Sequence, residues 1–280
     1  MRAHRLLVPV LFLLAGCNAG TESTDPQAAP AALRDGTFPA ASVSFSVQDG
    51  AGNTVNYTRG PGFADGTSVN VSQDGSEVTI GTSTTVDNGS PVVFNDTLPL
   101  PPSMSEFSGA LHWPQQNRNL FQSAFGSWDL PGSSGVPVTG TFFAFGVLTE
   151  GTAIPVTSNA TFTGRWTGVQ WTVAGGATFT GTEVFGNFSA VVNYVDRTIV
   201  VTALGPTGSI LLSGTLSYAP ATNSPSSSLM TGPVGYTTGS AVARFHGPAA
   251  EELGGTFRVM GGASPSGTNV IIGSFGAKRP

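Results

Sequence analysis

The sequence predicts an all-β protein, and three features carry that expectation. Of 280 residues 38 are Gly and 20 are Pro, and only 10% are charged, so helices would be broken often and few i,i+4 ion pairs could form. Thr, Val and Phe supply much of the remainder, and β-branched and aromatic side chains suit a pleated, half-buried surface. From Phe38 onward, short runs with a period of two are separated by Gly, Asn, Asp and Pro, the pattern of successive strands and turns.

The N-terminus reads as an address rather than as structure. Arg2 and Arg5 give a basic start, Leu6 to Leu14 form an apolar run interrupted only by Pro9, and Leu14-Ala15-Gly16-Cys17 matches the bacterial lipobox. Residues 1–16 are therefore expected to be removed as a signal peptide, with Cys17 lipidated, palmitate included. Several acyl chains together hold a protein firmly to a bilayer where one holds it marginally. Asn18 follows the cysteine, not the Asp of an inner-membrane retention signal, which favours the outer membrane. Residues 17–37 are rich in Ala, Pro, Thr and Ser without hydrophobic period and read as a flexible tether.

Residues 38–117 are expected to form a small β-rich domain. Val43 to Val47 alternates, and Asp74-Gly75 between Val69–Ser72 and Glu77–Ile80 is a hairpin signal. Pro99, Pro101 and Pro102 suggest an extended connector. Residues 118–280 alternate more strongly. Phe143, Phe145 and Val147 share a face. So do Phe162, Gly164, Trp166 and Gly168, and again Phe188, Ala190, Val192 and Tyr194. Asp196-Arg197 turns the chain into Thr198–Val201. Ile210, Leu212, Gly214, Leu216 and Tyr218 follow, then Ala241, Ala243 and Phe245, then Phe257 and Val259, and last Ile271 and Phe275. Large residues alternating with Gly or Ala on one face suit the tapering interior of a small barrel of about eight or nine strands. Periodicity alone leaves a β-sandwich open.

Several functions are argued against by composition. The formal net charge is −5 and Lys278 is the only lysine, so a phosphate backbone finds no basic cluster and nucleic acid is not an expected partner. One cysteine excludes an intramolecular disulfide. Beyond the leader no stretch reaches the length of a transmembrane helix. Neither a Gly-x-Ser-x-Gly elbow nor a phosphate-binding loop occurs, and the acids are scattered, so no enzyme and no metal site is expected. Among single residues, His112 beside Trp113 is a weak candidate for a haem axial ligand, against the plainer reading of a surface-loop histidine. His246 reads as packing. Glu251 and Glu252 read as carboxylates at the start of a helical turn spanning Ala249–Leu253. Trp128, Trp166 and Trp171 read as barrel packing, with an interface anchor as the alternative.

The segment Phe245-His246-Gly247-Pro248-Ala249-Ala250-Glu251-Glu252-Leu253-Gly254-Gly255-Thr256-Phe257 resembles the late strand–turn–strand motif of the transferrin-binding protein B barrel domain. Related barrels occur in factor H binding protein and in hemophilin-like haem carriers. Ile272 to Arg279 is similar to the family's last strand and tail, Ala160 to Gly164 to an earlier strand, and Phe125-Gly126-Ser127-Trp128 to the strand that often opens the barrel. The resemblance implies a C-terminal eight-stranded antiparallel barrel behind a smaller N-terminal handle domain. It also implies a monomeric outer-membrane surface lipoprotein that captures a host protein, iron source or haem for a TonB-dependent transporter. A structural or immune-evasion role is the alternative. The family's transferrin receptors carry two such lobes, and this chain has room for one.

Overall fold

The computed structural model describes residues 33, 36–47, 55–56, 68–71, 77–81, 92–95, 108–112, 120, 122–130, 138–173, 179–205, 207–227, 230–233, 236–261 and 269–280. Nearly all of them lie in two antiparallel sheets. The first contains β1 (Gly36–Val47), β2 (Val55–Asn56), β3 (Ser68–Val71), β4 (Glu77–Gly81), β5 (Val92–Asn95), β6 (Ser108–His112), β7 (Ser123–Leu130) and β8 (Val138–Gly146), in the order β5-β4-β3-β1-β8-β7-β6 with β2 beside β1. β3 and β4 pair antiparallel with Val71 opposite Val78; Asp74 and Gly75 between them lie outside the described residues. β1 begins at Gly36, two residues before the expected start of the domain at residue 38.

The second sheet closes on itself. It contains β9 (Asn159–Val173), β10 (Phe179–Asn193), β11 (Thr198–Leu204), β12 (Ile210–Ser217), β13 (Ser226–Ser227), β14 (Met230–Thr231), β15 (Tyr236–His246), β16 (Glu252–Gly261) and β17 (Asn269–Lys278). β17 pairs with β9, and β11 pairs with β12. The short β13 and β14 together occupy one position beside β12, β13 also pairing with β15, so the ring has eight staves. Closure removes the free edges that a sandwich would leave.

Sheet membership differs from the sequence reading at one boundary. β7 and β8 were expected to open the barrel from residue 118, but both pair in the first sheet, β8 along β1 from Ala40↔Phe145 to Val47↔Val138. The ring itself starts at Asn159. The reason is visible in β8, where every residue from Thr141 to Gly146 is buried. Alternation shows which residues share a face, but a strand buried on both faces can serve either sheet. Phe143 and Phe145 therefore pack outside the barrel, Phe145 6.2 Å from Phe143 and 6.0 Å from Phe38 between ring centroids.

The barrel interior is filled. Phe162, Trp166, Phe188, Leu212, Phe245, Phe257 and Phe275 are all buried within one continuous core. Phe188 stacks on Phe275 at 4.2 Å, and Trp166 meets Phe257 edge-on at 5.6 Å, arrangements that suit the ring quadrupole. Trp166 Nε1 donates to the Leu204 carbonyl at 2.9 Å, so its polar edge is satisfied. Gly255 lies opposite Phe275, and Phe257 opposite Gly273. Each ring leans over the glycine across the ladder, and large–small pairing keeps a narrow barrel from overpacking.

Candidate functional site

Alternation along β15, β16 and β17 sends one set of side chains inward and the other outward. The outward set would meet solvent on an isolated barrel. Here Glu252, Gly254 and Thr256 of β16 and Ser274 and Gly276 of β17 are buried instead, because the handle sheet lies over this wall. Leu120, Phe125 and Ala144 form a small apolar cluster on the handle side. A methyl group added at Gly276 would run into Phe125 and into Leu120 Cδ1, the latter at 2.8 Å. Two polar links fix the seat. Ser123 Oγ and the Gln122 N–H donate to Glu252 Oε2 at 2.8 and 3.0 Å, and Ser274 Oγ donates to the Gly126 carbonyl at 2.9 Å.

His246, the last residue of β15, sits at the end of this seam. It is 1% exposed, and neither ring nitrogen has a hydrogen-bond partner among the described residues. The imidazole lies in a slot between two glycines. A methyl group on Gly146 of β8 would fall 2.7 Å from Nδ1, and one on Gly254 of β16 would fall 3.2 Å from Nε2. Burial first, and then the positive charge of Arg244, push the imidazole down to about 3, against the pull of the Val147 and Gly146 carbonyls. A charged ring would lose its hydration here without an anionic hydrogen-bond partner.

The turn after His246 is stapled from three sides. Gly247 and Ala250 take positive φ, +87° and +58°, so the backbone reverses without the helical turn expected over Ala249–Leu253. β16 already starts at Glu252, directly opposite His246, which leaves too few residues for a helix. The Glu251 carboxylate accepts the Ala249 N–H at 2.9 Å, while Glu252 serves the handle. The Gly247 N–H donates to the Val147 carbonyl at 2.8 Å, and Thr149 Oγ1 donates to the Gly247 carbonyl at 2.5 Å. Arg279 Nη2 donates to the Ala249 carbonyl at 2.8 Å. Asn223 acts as a clasp: its Nδ2 donates to the Phe245 and Thr149 carbonyls at 2.7 and 2.9 Å, and its Oδ1 accepts the Phe245 N–H at 2.7 Å.

Below this turn Phe245 packs on Tyr194 and Tyr218 at 6.1 and 5.6 Å. Burial raises both phenols, Tyr218 to about 12, so neither supplies a phenolate at neutral pH. No cluster of three or more His, Cys, Asp or Glu occurs among the described residues. Cys17 and Trp113 lie outside the described residues. His112 ends β6, an edge strand of the handle sheet, where it stands opposite Phe125 of β7. Of the three tryptophans expected to pack the barrel, Trp166 does, Trp171 lies in barrel strand β9, and Trp128 lies in handle strand β7. Glu252 is the seam residue that sequence reasoning misread, since it joins the barrel to the handle instead of opening a helical turn. The available signal was a carboxylate beginning a strand that otherwise carries only Arg258 as a charge.

Residues 154–279 match the model of a protein family described as the C-lobe and N-lobe β-barrels of transferrin-binding protein B. No curated protein matches the sequence. Among solved structures, the chain resembles the isotype 1 transferrin-binding protein B of serogroup B Neisseria meningitidis (16% identity, TM-score 0.51, 86% of this chain and 43% of that one). It also resembles a double mutant of transferrin-binding protein B from Haemophilus parasuis (15%, 0.50, 85% and 45%). A structure described as a surface lipoprotein is covered almost entirely (12%, 0.50, 86% of this chain and 99% of that one). The chain thus spans less than half the length of the two transferrin-binding proteins and nearly all of the surface lipoprotein.

Proposed function

We propose that this chain, whose C-terminal barrel is of the transferrin-binding protein B type, is a surface binding protein that holds its ligand on the outside of a solid scaffold. The observation that carries this reading is the filled barrel. An eight-stranded ring is wide enough either to be packed by side chains or to hold one small ligand, and Trp166, Phe188, Phe257 and Phe275 take that space. Recognition then falls to loops and handle surfaces. The barrel's match to the barrels of transferrin-binding protein B supports a host protein or iron source as cargo. The lipobox at Cys17 supports anchoring to the outer membrane, with a TonB-dependent transporter as the recipient of the cargo. Haem is the smaller-ligand version of the same reading, with His112 as its axial ligand.

Two measurements test the proposal. Immobilised mature protein should retain holo-transferrin from serum without colour change on mixing with haemin; a Soret band that is lost in His112→Ala would instead establish the haem version. Failure to bind either would leave the structural or immune-evasion role and overturn the uptake reading. Separately, Cys17→Ala should move the protein out of the membrane fraction and abolish labelled-palmitate incorporation. Continued labelling would remove the anchor from the account.

A further inference from the structure

We propose that His246 makes the docking of the handle on the barrel conditional on pH, its neutral ring seating the handle and its protonated ring releasing it while the barrel stays folded. The geometry has three parts. The imidazole is buried at the seam, where β8 of the handle crosses the ends of β15 and β16. Gly146 on one side and Gly254 on the other leave only the width of the ring, one from each sheet. Its two nitrogens make no well-formed hydrogen bond, and the nearby Val147 and Gly146 carbonyls favour a proton less than burial and Arg244 oppose it, so the slot tolerates a neutral imidazole at modest cost but not a charged one. Relief for a protonated ring requires water, and the shortest route to water is lifting β8 away.

The charged neighbours do not rescue the cation in place. Arg244, two residues back on the same face of β15, opposes protonation. Glu252 lies opposite on β16, but its Oε2 already accepts from Ser123 and Gln122, and Lys278 of β17 stands opposite Glu252 in the ladder. Glu251 of the turn accepts the Ala249 N–H, and Arg279 is held by the Ala249 carbonyl. Glu150 is exposed beyond Thr149. From the handle, Ser123–Gly126 and Thr141–Gly146 bring no ionisable side chain. The inner face of β15 is unaffected, since Ala241, Ala243 and Phe245 remain in the barrel core. This device does not depend on which ligand the protein carries.

Amide hydrogen exchange of the full-length chain between pH 7.5 and pH 4.5, corrected for intrinsic rates, tests the proposal against His246→Gln. In the wild type, amides of β7 and β8 should lose protection as pH falls below about 6.5, approaching tenfold per unit, while β10 and β11 keep theirs. H246Q should lose the part of this dependence that His246 supplies, because whatever Glu252 and His112 contribute remains in both proteins and cancels in the comparison. Equal pH dependence in the two proteins would overturn the proposal, as would loss of β10 and β11 protection together with β7 and β8. Should H246Q not fold, ring-proton NMR of the wild type decides. Titration of His246 near 6.5 with β7 and β8 still protected would overturn the device; resistance to protonation until those strands open would establish it.

Discussion

At the level of single residues, the junction is organised by polar groups that a barrel wall would ordinarily turn to solvent. Glu252 is 1% exposed, and it answers two handle donors at once. Glu252→Ala would leave Ser123 Oγ and the Gln122 N–H buried without an acceptor, costing about 2–4 kcal/mol in chemical denaturation; a loss within about 0.5 kcal/mol would show that the contact is ornamental. His246 adds a pH dependence whose sign follows from its depressed value. Between about 3 and the ordinary 6.5 the unfolded chain binds a proton that the native state refuses. The contribution is therefore complete above pH 6.5 and is lost progressively as pH falls toward 3. A native-state stability profile that is level from pH 7.5 to pH 5 in the wild type would contradict this.

At the level of elements, strand positions and inward faces were legible because a period of two leaves its mark on every barrel strand. Phe162-Gly164-Trp166-Gly168 and Phe188-Ala190-Val192-Tyr194 point inward as their alternation requires, and the residues between them face outward. The Asp196-Arg197 turn is likewise built by local chemistry: Asn193 Oδ1 accepts the N–H groups of Val195 and Asp196, both at 3.0 Å. Two things were not legible. Which sheet β7 and β8 join depends on pairing with a strand far back in the chain, β8 lying along β1 with Ala40 opposite Phe145 and Val47 opposite Val138. The β15–β16 turn looked helical because Ala249 to Leu253 has helical composition, but pairing of His246 with Glu252 overrides local propensity. The glycines of the ladder carry their own expectation. Gly273→Val would force a branched side chain against the Phe257 ring, where a methyl group alone would come within 2.6 Å. A destabilisation of about 1–3 kcal/mol should follow, measurable as a lower urea midpoint at unchanged slope.

At the level of the whole molecule, the handle and barrel are two sheets sharing one seam, and the barrel should hold together without its partner. Residues 147–280 contain every strand of the ring and should unfold cooperatively on their own. A fragment starting at residue 118 also contains every ring strand, but it carries β7 and β8 without β1. Those two strands should exchange rapidly in that fragment while β9 to β17 remain protected. The candidate site was less legible than the fold for a physical reason. A binding surface outside a packed scaffold leaves no convergent set of titratable side chains in the sequence. The lipobox sequence at Cys17 and the barrel motif around Gly247 are local patterns, whereas a ligand surface is assembled from loops. Replacing Phe257 with Ala, and recording thermal unfolding with and without haemin beside the wild type, tests the filled barrel most directly. Removing a ring packed against Trp166 and Gly273 should cost about 3–5 kcal/mol and lower Tm by about 6–20 °C, with no change on adding haemin. A nearly unchanged Tm together with loss of a haemin-binding signal present in the wild type would place a ligand cavity where the aromatic core now stands.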